Sequence, residues 1–393
     1  MKRIHIQTTI ILLLTAFLFS CESGKMLNSE ADIIEIILPE SLKVGNPIIT
    51  NTEIRIPKLA VSPNDLDALN EQLKSLAPKF ILTPGAIISD DETPRDFTEP
   101  QTYTVTSEDR KWKKDYKIYF YSSTFNNTEF SFSDFQVVEI KAQNNPSKYY
   151  YKFYEINNET DSRQDVWDSG NSGFSLTALP TTPLEDYPTS STPNGKVGSG
   201  VKLVTRSTGM FGGLVGMPIA AGNLFLGYFD NSKATMKPLE ATQFGIPTTQ
   251  EQPQTLSLWA KYKAGPVYKN KDGKVQDDII DRCEVYAVLY EAEMDENGYP
   301  VLLNGTNVRT ADNIVSLAVM SEEQVEQIRV NDIDNDEYVQ VEIPFIPRKM
   351  FDPEKQKSGS YYITLVFSSS AKGNLFEGAV GSTLYVDEAK FLR

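Results

Sequence analysis

The sequence predicts an all-β protein made of two β-sandwiches, a smaller one that contains one short helix and a larger one of the jelly-roll type. Apolar and polar residues alternate over many short segments, which is the pattern of strands with one buried face. Turns rich in glycine and proline separate these segments, as in sandwiches and barrels. A chain of 393 residues with 40% hydrophobic content is also long enough to bury two cores.

The first residues have the pattern of a bacterial export signal. Lys2 and Arg3 precede an apolar stretch at residues 10–19 that is too short to span a bilayer. A serine and Cys21 follow, which resembles the lipobox at which a lipoprotein signal is cleaved after residue 20. The resemblance implies that Cys21 is lipidated and anchors the chain to a membrane. Glu22 favours the outer membrane and leaves open whether the protein faces the periplasm or the cell surface. An ordinary cleaved signal and an N-terminal transmembrane anchor are the alternatives.

The signal with its lipobox cysteine spans residues 1–21, and the composition that remains after cleavage behind residue 20 excludes several classes of site. His5 is the only histidine and lies in the signal, so Ser-His-Asp catalysis, Cys-His catalysis and histidine-containing metal sites are excluded. Cys283 is the only cysteine besides Cys21, so we expect no intramolecular disulfide and a buried Cys283. Loss of the two basic residues of the signal changes the net charge from −15 to −17, which argues against nucleic acid and anionic lipids as partners.

The smaller sandwich is predicted over residues 32–125, after a polar tether at residues 22–31. One helix interrupts its strands. Ser62 is placed to cap this helix, Pro63 suits its first position and Pro78 follows its end. Its leucines recur at helical spacing and are expected to pack in the core; they are Leu66, Leu69, Leu73 and Leu76.

Three segments of this region resemble the small Ig-like modules that follow the lipid anchor in many surface lipoproteins that handle glycans. The segments are residues 84–89, residues 96–100 and residues 103–109. The resemblance covers about residues 32–121. It implies an Ig-like module that is mostly a spacer and has no catalytic role.

The larger sandwich is predicted over residues 126–393. One helical turn is expected at residues 321–328, where Ser321 caps the helix and Gln324 reaches back to it. A series of antiparallel strands over this length fits a jelly roll. The strands are predicted at residues 135–141, 149–154, 200–205, 255–262, 283–291, 314–319, 338–344, 361–368 and 383–391.

Four segments of the larger domain resemble a family of envelope lipoproteins, the putative carbohydrate metabolism domain. The resemblance spans about residues 128–393. It implies a jelly roll similar to galactose-binding-like and carbohydrate-binding modules. Neither an assigned activity nor a settled ligand comes with the family. The segments are residues 167–173 (WDSGNSG), 221–227 (AGNLFLG), 283–291 (CEVYAVLYE), and 367–373 (FSSSAKG) continuing to 376–388 (FEGAVGSTLYVDE).

Trp167, Asp168 and Asn171 form the first candidate ligand-binding group. A sugar site needs an aromatic ring to stack on C–H faces, and it needs amides or carboxylates to bind hydroxyls. These three residues supply both within one loop. The alternative is structural: the tryptophan closes the end of the sandwich, and the two polar side chains bond their own turn.

Trp259 and Arg206 are two further candidate ligand-binding residues. Alternation over residues 256–262 places the leucines on the core face and Trp259 on the opposite face, which is a common binding platform in jelly-roll modules. Packing beneath a covering loop is the alternative for this ring. Arg206 follows a predicted strand and could bind a sugar hydroxyl or a carboxylate, although a structural ion pair is the more common role.

Calcium is the one cofactor that the sequence suggests, in a structural role. Asp387 resembles the position from which jelly-roll modules often ligate calcium. The alternating aspartates of residues 331–337 begin like a calcium loop, but Glu337 stands where that loop requires glycine. Solvated surface is the default interpretation of such acidic runs.

These observations favour an envelope lipoprotein that binds carbohydrate non-catalytically through its jelly roll. The chain contains 19 tyrosines and 20 phenylalanines, a generous supply of rings for glycan capture. The first alternative is a glycoside hydrolase or another polysaccharide-active enzyme that uses carboxylates, although no recognisable motif pairs them. The second alternative is an adhesin or structural partner protein, which an exposed apolar patch without a sugar-sized pocket would favour.

Overall fold

A computed structural model of the chain describes residues 27–39, 41–42, 44–58, 63–89, 93–122, 125–142, 145–156, 163–296 and 300–393. The expected export signal and Cys21 lie outside these residues. Within the described ranges, no helix is long and apolar enough to cross a membrane.

The N-terminal module is built around a five-stranded sheet. The module as a whole has seven strands among the described residues and one helix, α1 (Pro63–Leu73). The strands are β1 (Ile33–Ile37), β2 (Ile48–Ile49), β3 (Glu53–Lys58), β4 (Lys79–Leu82), β5 (Ile87–Ile88), β6 (Gln101–Thr106) and β7 (Lys113–Ser122). The sheet has the order β2-β3-β7-β6-β5, and β3 and β7 run parallel. β1 and β4 pair separately as an antiparallel ribbon.

A compact set of apolar side chains forms the core of this module. Leu69 and Leu73 of α1 are buried, as the helical spacing predicts. Leu76 is also buried, but it lies beyond the helix in a β-bridge with Arg95. The strands contribute Ile33, Ile36, Ile54, Ile56, Tyr103, Val105, Tyr116 and Ile118 to the same core.

The larger domain consists of short and medium strands. The first group is β8 (Glu129–Phe130), β9 (Phe135–Ala142), β10 (Asn145–Phe153), β11 (Glu155–Ile156), β12 (Arg163–Gln164), β13 (Trp167–Asp168), β14 (Thr189–Thr192), β15 (Gly200–Val204), β16 (Arg206–Ser207), β17 (Ile219–Ala220), β18 (Asn223–Phe229), β19 (Thr242–Phe244) and β20 (Ile246–Pro247). The second group is β21 (Thr255–Lys263), β22 (Tyr268–Lys269), β23 (Glu284–Glu291), β24 (Glu293–Met294), β25 (Pro300–Val301), β26 (Leu303–Asn304), β27 (Ile314–Val319), β28 (Val339–Pro344), β29 (Ile346–Pro347), β30 (Tyr361–Ser368), β31 (Gly378–Ala379) and β32 (Thr383–Leu392). Short helices connect them: α2 (Asn171–Phe174), α3 (Gly209–Leu214), α4 (Pro238–Ala241), α5 (Glu322–Gln327) and α6 (Pro353–Lys357), with 3-10 turns at Leu184–Asp186, Asn231–Lys233 and Gly373–Leu375.

Two antiparallel sheets face each other in the larger domain. The larger sheet has the order β26-β19-β18-β30-β23-β27-β29, with β13 paired to β18 and β20 paired to β30. The smaller sheet has the order β14-β15-β32-β21-β28, with β8 paired to β32. The all-β prediction is confirmed, and every strand predicted for this domain is present. Helix α5 also has the predicted capping box between Ser321 and Gln324.

The space between the two sheets holds the main hydrophobic core. Leu226, Leu258, Ala287, Leu365 and Val386 are among its fully buried members. Cys283 is buried at its edge, as expected.

Strand β18 was not predicted from the sequence. Leu224, Phe225 and Leu226 are buried on both faces of the sheet, so this segment lacks the alternation that marks a half-exposed strand.

Arg55 of the N-terminal module joins the two domains. Its side chain is buried, and its Nη1 donates to the carbonyl oxygen of Asp165 at 2.9 Å. Its Nη2 lies 3.8 Å from the carboxylate of Asp168. Tyr119 adds a hydrogen bond from its hydroxyl to Oδ2 of Asp165 at 2.7 Å. These contacts hold the sheet of the module against the beginning of the jelly roll.

Candidate functional site

A cavity of about 300 Å³ lies against the outer face of the larger sheet. We call it the outer-face cavity. The rings on this face form a hydrophobic cluster that is separate from the core between the sheets. Each of the four segments that resemble the carbohydrate family contributes to its wall. They contribute Gly170 and Gly173; Ala221, Asn223 and Phe225; Glu284 and Tyr286; and Ser368, Ser370, Ala371, Gly373 and Phe376.

The floor of this cavity is formed by side chains of three neighbouring strands, along which successive residues point to opposite faces of the sheet. Phe225 of β18, Tyr286 of β23 and Val366 of β30 point away from the main core, while their neighbours along each strand point into it. Phe244 of β19 packs beside Phe225 and Tyr286, with ring centroids 5.4 Å and 6.4 Å away. The floor is therefore aromatic and held in place by strand pairing.

Glu284 and Arg309 form a charged pair in the cavity wall. Nη1 of Arg309 donates to Oε1 of Glu284 at 2.5 Å, and the guanidinium lies 5.5 Å from the ring centroid of Tyr286. Burial raises the pKa of Glu284 above its ordinary value, although the charge of Arg309 acts in the opposite direction. A carboxylate beside a guanidinium can bind two neighbouring hydroxyls, one as acceptor and the other as donor.

Two of the residues that line the cavity are exposed aliphatic side chains, and two more exposed apolar side chains lie beside them in the chain. Leu176 and Val215 line the cavity and are themselves largely exposed. Met210 and Leu214 belong to α3, which immediately precedes Val215, and they are 84% and 80% exposed. These exposed positions of and beside the cavity lining are therefore apolar.

Trp167 lies in the sandwich core and not at a binding surface. Its side chain is fully buried and packs against Phe130 and Phe132, with ring centroids 5.4 Å away in each case. Its Nε1 donates to Oε1 of Glu155 at 2.7 Å. Burial raises the pKa of Glu155 to about 7, although this hydrogen bond opposes the shift. The prediction that Trp167 stacks on a sugar is therefore wrong, because no face of its ring is exposed.

The polar side chains of the same segment are used within the fold. Asn171 is buried, donates to the carbonyl oxygen of Thr189 at 2.7 Å and accepts from the amide of Thr189 at 3.0 Å. Asp168 accepts from the amides of Ser169 and Phe229, one on each carboxylate oxygen. These bonds correct the assignment of Asp168 and Asn171 to a ligand site, because the groups that would bind hydroxyls already bind backbone.

Arg206 forms the structural ion pair that was its alternative role. Its Nη2 donates to the carbonyl oxygen of Glu185 at 2.8 Å and lies 3.2 Å from the carboxylate of Asp186. It does not line the outer-face cavity.

Trp259 lies on the opposite side of the sandwich from the outer-face cavity. It belongs to β21 of the smaller sheet, where its half-buried ring packs beneath Lys196, with Nζ 4.3 Å from the ring centroid. Trp167, Arg206 and Trp259 therefore occupy three different places and do not form one site.

Asp387, the residue predicted to ligate calcium, bonds backbone amides in the fold, and the calcium site stays a prediction. Its Oδ2 accepts from the amide of Val197 and its Oδ1 from the amide of Glu388, each at 2.9 Å. Burial raises its pKa to about 6, although these two hydrogen bonds oppose the shift. Throughout the part of the chain that the structure describes, no group of three or more acidic, histidine or cysteine side chains could hold a metal ion. Asp387 instead holds the loop that contains Val197.

The polar and aromatic residues of the outer-face cavity were not predicted from the sequence as site residues. Phe225, Glu284 and Tyr286 lie inside the segments that resemble the carbohydrate family, and that resemblance is the signal that points to them. Arg309 lies outside these segments, and only the fold brings it to Glu284.

Two family models match the chain. The family model described as putative carbohydrate metabolism domain matches residues 131–392. The model described as SGBP, N-terminal, matches residues 68–119. No curated protein matches the chain.

Two solved structures resemble the chain. A protein described as a putative glycoside hydrolase from Bacteroides thetaiotaomicron is 38% identical, with a TM-score of 0.73, over 94% of this chain and 98% of that protein. A second putative glycoside hydrolase, from Bacteroides vulgatus, is 36% identical, with a TM-score of 0.58, over 68% of this chain and 98% of that protein. The chain therefore belongs to the putative carbohydrate metabolism domain family.

Proposed function

We propose that the jelly roll binds carbohydrate without cleaving it, and that the outer-face cavity is the binding site. One observation carries this proposal. Four segments that are far apart in the chain, and that all resemble one carbohydrate family, meet at a single cavity.

The chemistry of the wall supports a sugar as the ligand. Phe225 and Tyr286 supply apolar ring surface, on which the C–H face of a sugar can stack. Glu284 and Arg309 supply an acceptor and a donor for hydroxyls. A volume of about 300 Å³ lies at the lower end of the range for small-molecule sites. It favours a short oligosaccharide or a chain end over the middle of a polymer.

The acidic groups support binding over hydrolysis. Among the described residues that line the cavity, Glu284 is the only carboxylate. Retaining and inverting glycosidases generally use a pair of carboxylates on the two sides of the scissile bond. Glu284 is also bonded to Arg309, which is an arrangement suited to holding hydroxyls.

Arg309→Ala tests the site. We expect affinity for the bound glycan to fall at least about tenfold, because a charge-assisted donor is lost. The Arg309 side chain is 43% exposed, so the melting temperature should change little. A glycan array identifies the ligand, and calorimetric titration with that glycan measures the affinity. Arg329→Ala is the matched control, because it removes another surface arginine–glutamate pair outside the cavity. Equal affinity of Arg309→Ala and the unmodified protein would contradict the proposal.

Glycoside hydrolysis is the second candidate function. Both solved relatives are described as putative glycoside hydrolases, and the raised pKa of Glu284 suits a general acid. Product analysis of every bound glycan separates the two candidates. Cleavage that Glu284→Gln abolishes would replace the binding proposal, whereas binding without product formation supports it. Absence of any glycan ligand would favour a protein partner.

We also propose that a lipid on Cys21 anchors the chain to the outer membrane. The support is the basic start, the short apolar stretch and the serine–cysteine pair of residues 2–21. The unmodified chain should fractionate with membranes, and Cys21→Ser should be released from them. Equal distribution of the two proteins would contradict the anchor. Protease treatment of intact cells would distinguish the cell-surface from the periplasmic face.

A further inference from the structure

A second cavity, of about 350 Å³, lies between the N-terminal module and the jelly roll. We call it the interdomain cavity. The module contributes Tyr121 of β7 to its wall, and the jelly roll contributes Tyr228 of β18 and Tyr362 of β30. Further residues from both domains complete the wall; they include Asn46, Ile48, Pro57, Gln164, Gln243 and Pro247.

Strands β18 and β19 separate this cavity from the outer-face cavity. Phe229 and Phe244 line the outer-face cavity, whereas the adjacent residues Tyr228 and Gln243 line the interdomain cavity. The two cavities are therefore distinct sites that share one pair of strands.

Three tyrosine hydroxyls of the interdomain cavity have no protein partner among the described residues. Tyr121 lies close enough to act electrostatically on the hydroxyls of both Tyr228 and Tyr362. None of the three donates a hydrogen bond to a described residue. Their oxygens also keep contact with open space, unlike the sealed hydroxyls of Tyr187 and Tyr262. Three hydroxyls that reach the open space of one cavity, and that no described protein group occupies, are placed to bind a ligand there.

These hydroxyls remain protonated at neutral pH. Burial raises the pKa of Tyr121 to about 12, and it raises the pKa of Tyr228 and Tyr362 well above their ordinary value. Each hydroxyl can therefore donate one hydrogen bond and accept others, which matches the hydroxyls of a sugar.

The remaining polar side chains of the wall include amides and charged groups, and three of the charged groups are paired within the protein. Asn46 and Gln243 supply amides. Lys233, Glu240 and Asp165 each form a salt bridge within the protein. The wall thus offers uncharged donors and acceptors beside ring surface. This combination fits a neutral sugar better than a phosphate or a uronate, which would need an unpaired cation.

The junction between the domains holds the cavity open in one shape. Arg55 and Tyr119 of the module both bond Asp165 of the jelly roll. Lys152 and Glu53 add an ion pair across the same junction at 3.6 Å. Because these contacts already fix the two walls, a ligand does not have to order them, and less binding free energy is lost.

We propose that the interdomain cavity is a second carbohydrate site, which binds a neutral sugar through Tyr121, Tyr228 and Tyr362. The N-terminal module would then form part of a binding site in addition to acting as a spacer. The ligand class is that of the proposed function, but the residues are different. Either proposal can therefore fail without the other.

The test removes the three hydroxyls and keeps the rings. The full chain carrying Cys21→Ser is compared with the same chain carrying Tyr121→Phe, Tyr228→Phe and Tyr362→Phe together. Calorimetric titration uses neutral oligosaccharides of glucose, mannose, galactose and xylose, and an oligogalacturonate as the charged probe. We expect one of two binding events to weaken at least about tenfold, because three hydrogen bonds are lost. The melting temperature should stay unchanged, since these hydroxyls bond no described protein group.

Two controls separate this site from folding and from the outer-face cavity. Tyr338→Phe removes a buried hydroxyl that donates to the carbonyl oxygen of Asn194 at 2.9 Å and lies outside both cavities, so it should lower the melting temperature and leave affinity unchanged. Arg309→Ala should weaken only the other binding event. If the triple variant unfolds, Tyr121→Phe alone provides the comparison. Binding by the tyrosine variants that equals the unmodified protein would overturn the proposal, as would preference for the charged probe. Failure of every probe to bind would overturn this proposal and the proposed function together.

Discussion

Buried carboxyl groups act at the scale of single residues as anchors for the backbone. Asp281 is the clearest case: its Oδ2 accepts from the hydroxyls of Ser370 and Ser382 and from the amide of Ala379. Its Oδ1 accepts from the amide of Arg282. Burial raises the pKa of Asp281, although these four bonds oppose the shift. The carboxyl ties the segment before β23 to the strands at the C-terminus.

Asp281→Asn tests this anchor. An amide has one oxygen and two N–H groups, so it cannot accept from all four donors. We expect a loss of about 2–4 kcal/mol in the free energy of unfolding, which is the cost of leaving buried donors unpaired. Chemical denaturation measures this loss. Asp272→Asn, at an exposed position, is the control and should change stability by less than about 0.5 kcal/mol. Equal stability of the two variants would contradict the prediction.

Glu155→Gln tests the raised pKa of Glu155, the carboxyl group that accepts a hydrogen bond from Nε1 of Trp167. Burial raises the pKa of Glu155 from its ordinary value of 4.5 to about 7, so folding favours the protonated form. Its contribution to stability is complete below pH 4.5 and is lost as the pH rises through about 7. The variant keeps an acceptor for Trp167 and cannot ionise.

Denaturation at a series of pH values measures this effect. Between about pH 4.5 and pH 8, we expect the unmodified protein to lose up to about 3 kcal/mol relative to Glu155→Gln. The comparison with the variant removes the contributions of other titrating groups, including Asp387, whose pKa is also raised. Parallel pH profiles for the two proteins would show that Glu155 ionises normally.

Among the secondary-structure elements, strand β18 contributes side chains to three parts of the molecule, which are the main core and both cavities. Leu224 and Leu226 pack in the main core, Phe225 forms the floor of the outer-face cavity, and Tyr228 lines the interdomain cavity. Gly227 lies among them with a φ of 142°, which side chains rarely allow. A Cβ there would lie 2.1 Å from the carbonyl oxygen of Gln243 on β19. Glycine is required because the two strands approach closely at this point.

Gly227→Ala should therefore destabilise the jelly roll and both cavities. Backbone strain and the clash with β19 together predict a loss of at least about 3 kcal/mol, seen as a lower melting temperature. Gly213→Ala in α3 is the control, because a Cβ added there would have no atom within 4 Å. It should be neutral or stabilise the helix by up to about 1 kcal/mol. A tolerated Gly227→Ala would mean that β18 and β19 can separate without cost.

Two hydrophobic cores and one buried arginine define the molecule as a whole. The N-terminal module and the jelly roll each have their own cluster of buried side chains. Arg55 crosses between them to Asp165. Burial disfavours the charge of Asp165, but Lys152, Arg55 and Arg163 outweigh that effect and hold its pKa at about 2. The junction therefore depends on a buried charge that has several partners.

Arg55→Met should uncouple the two domains. Asp165 keeps Lys152 and Arg163, so we expect a smaller loss than the about 3–5 kcal/mol that a buried charge without any partner would cost. We expect the N-terminal module to melt as a separate transition in scanning calorimetry, because its core does not depend on the jelly roll. Lys79→Met, which removes an exposed cation from the same module, should melt like the unmodified protein. A single, unshifted transition for Arg55→Met would show that other contacts hold the junction.

Local patterns account for what the sequence predicted correctly. The leucine spacing of α1 and the capping box of α5 depend on residues within a few positions of each other, and both are present. Alternation likewise placed strands such as β23 and β30. It failed at β18, because a strand buried on both faces has no polar side to reveal it.

The sequence by itself determined the all-β class, the helices α1 and α5 and the resemblance to a carbohydrate family, since each depends on neighbouring residues. The sequence could not decide whether the ring of Trp167 packs in the core or stacks on a sugar, because residue type alone does not reveal burial. Only the tertiary structure brought Arg309 to Glu284, and only it placed Tyr121 of one domain beside Tyr228 of the other. The physical reason is that cavities form where sheet register and domain contacts join residues far apart in the chain, and those long-range pairings leave no local pattern.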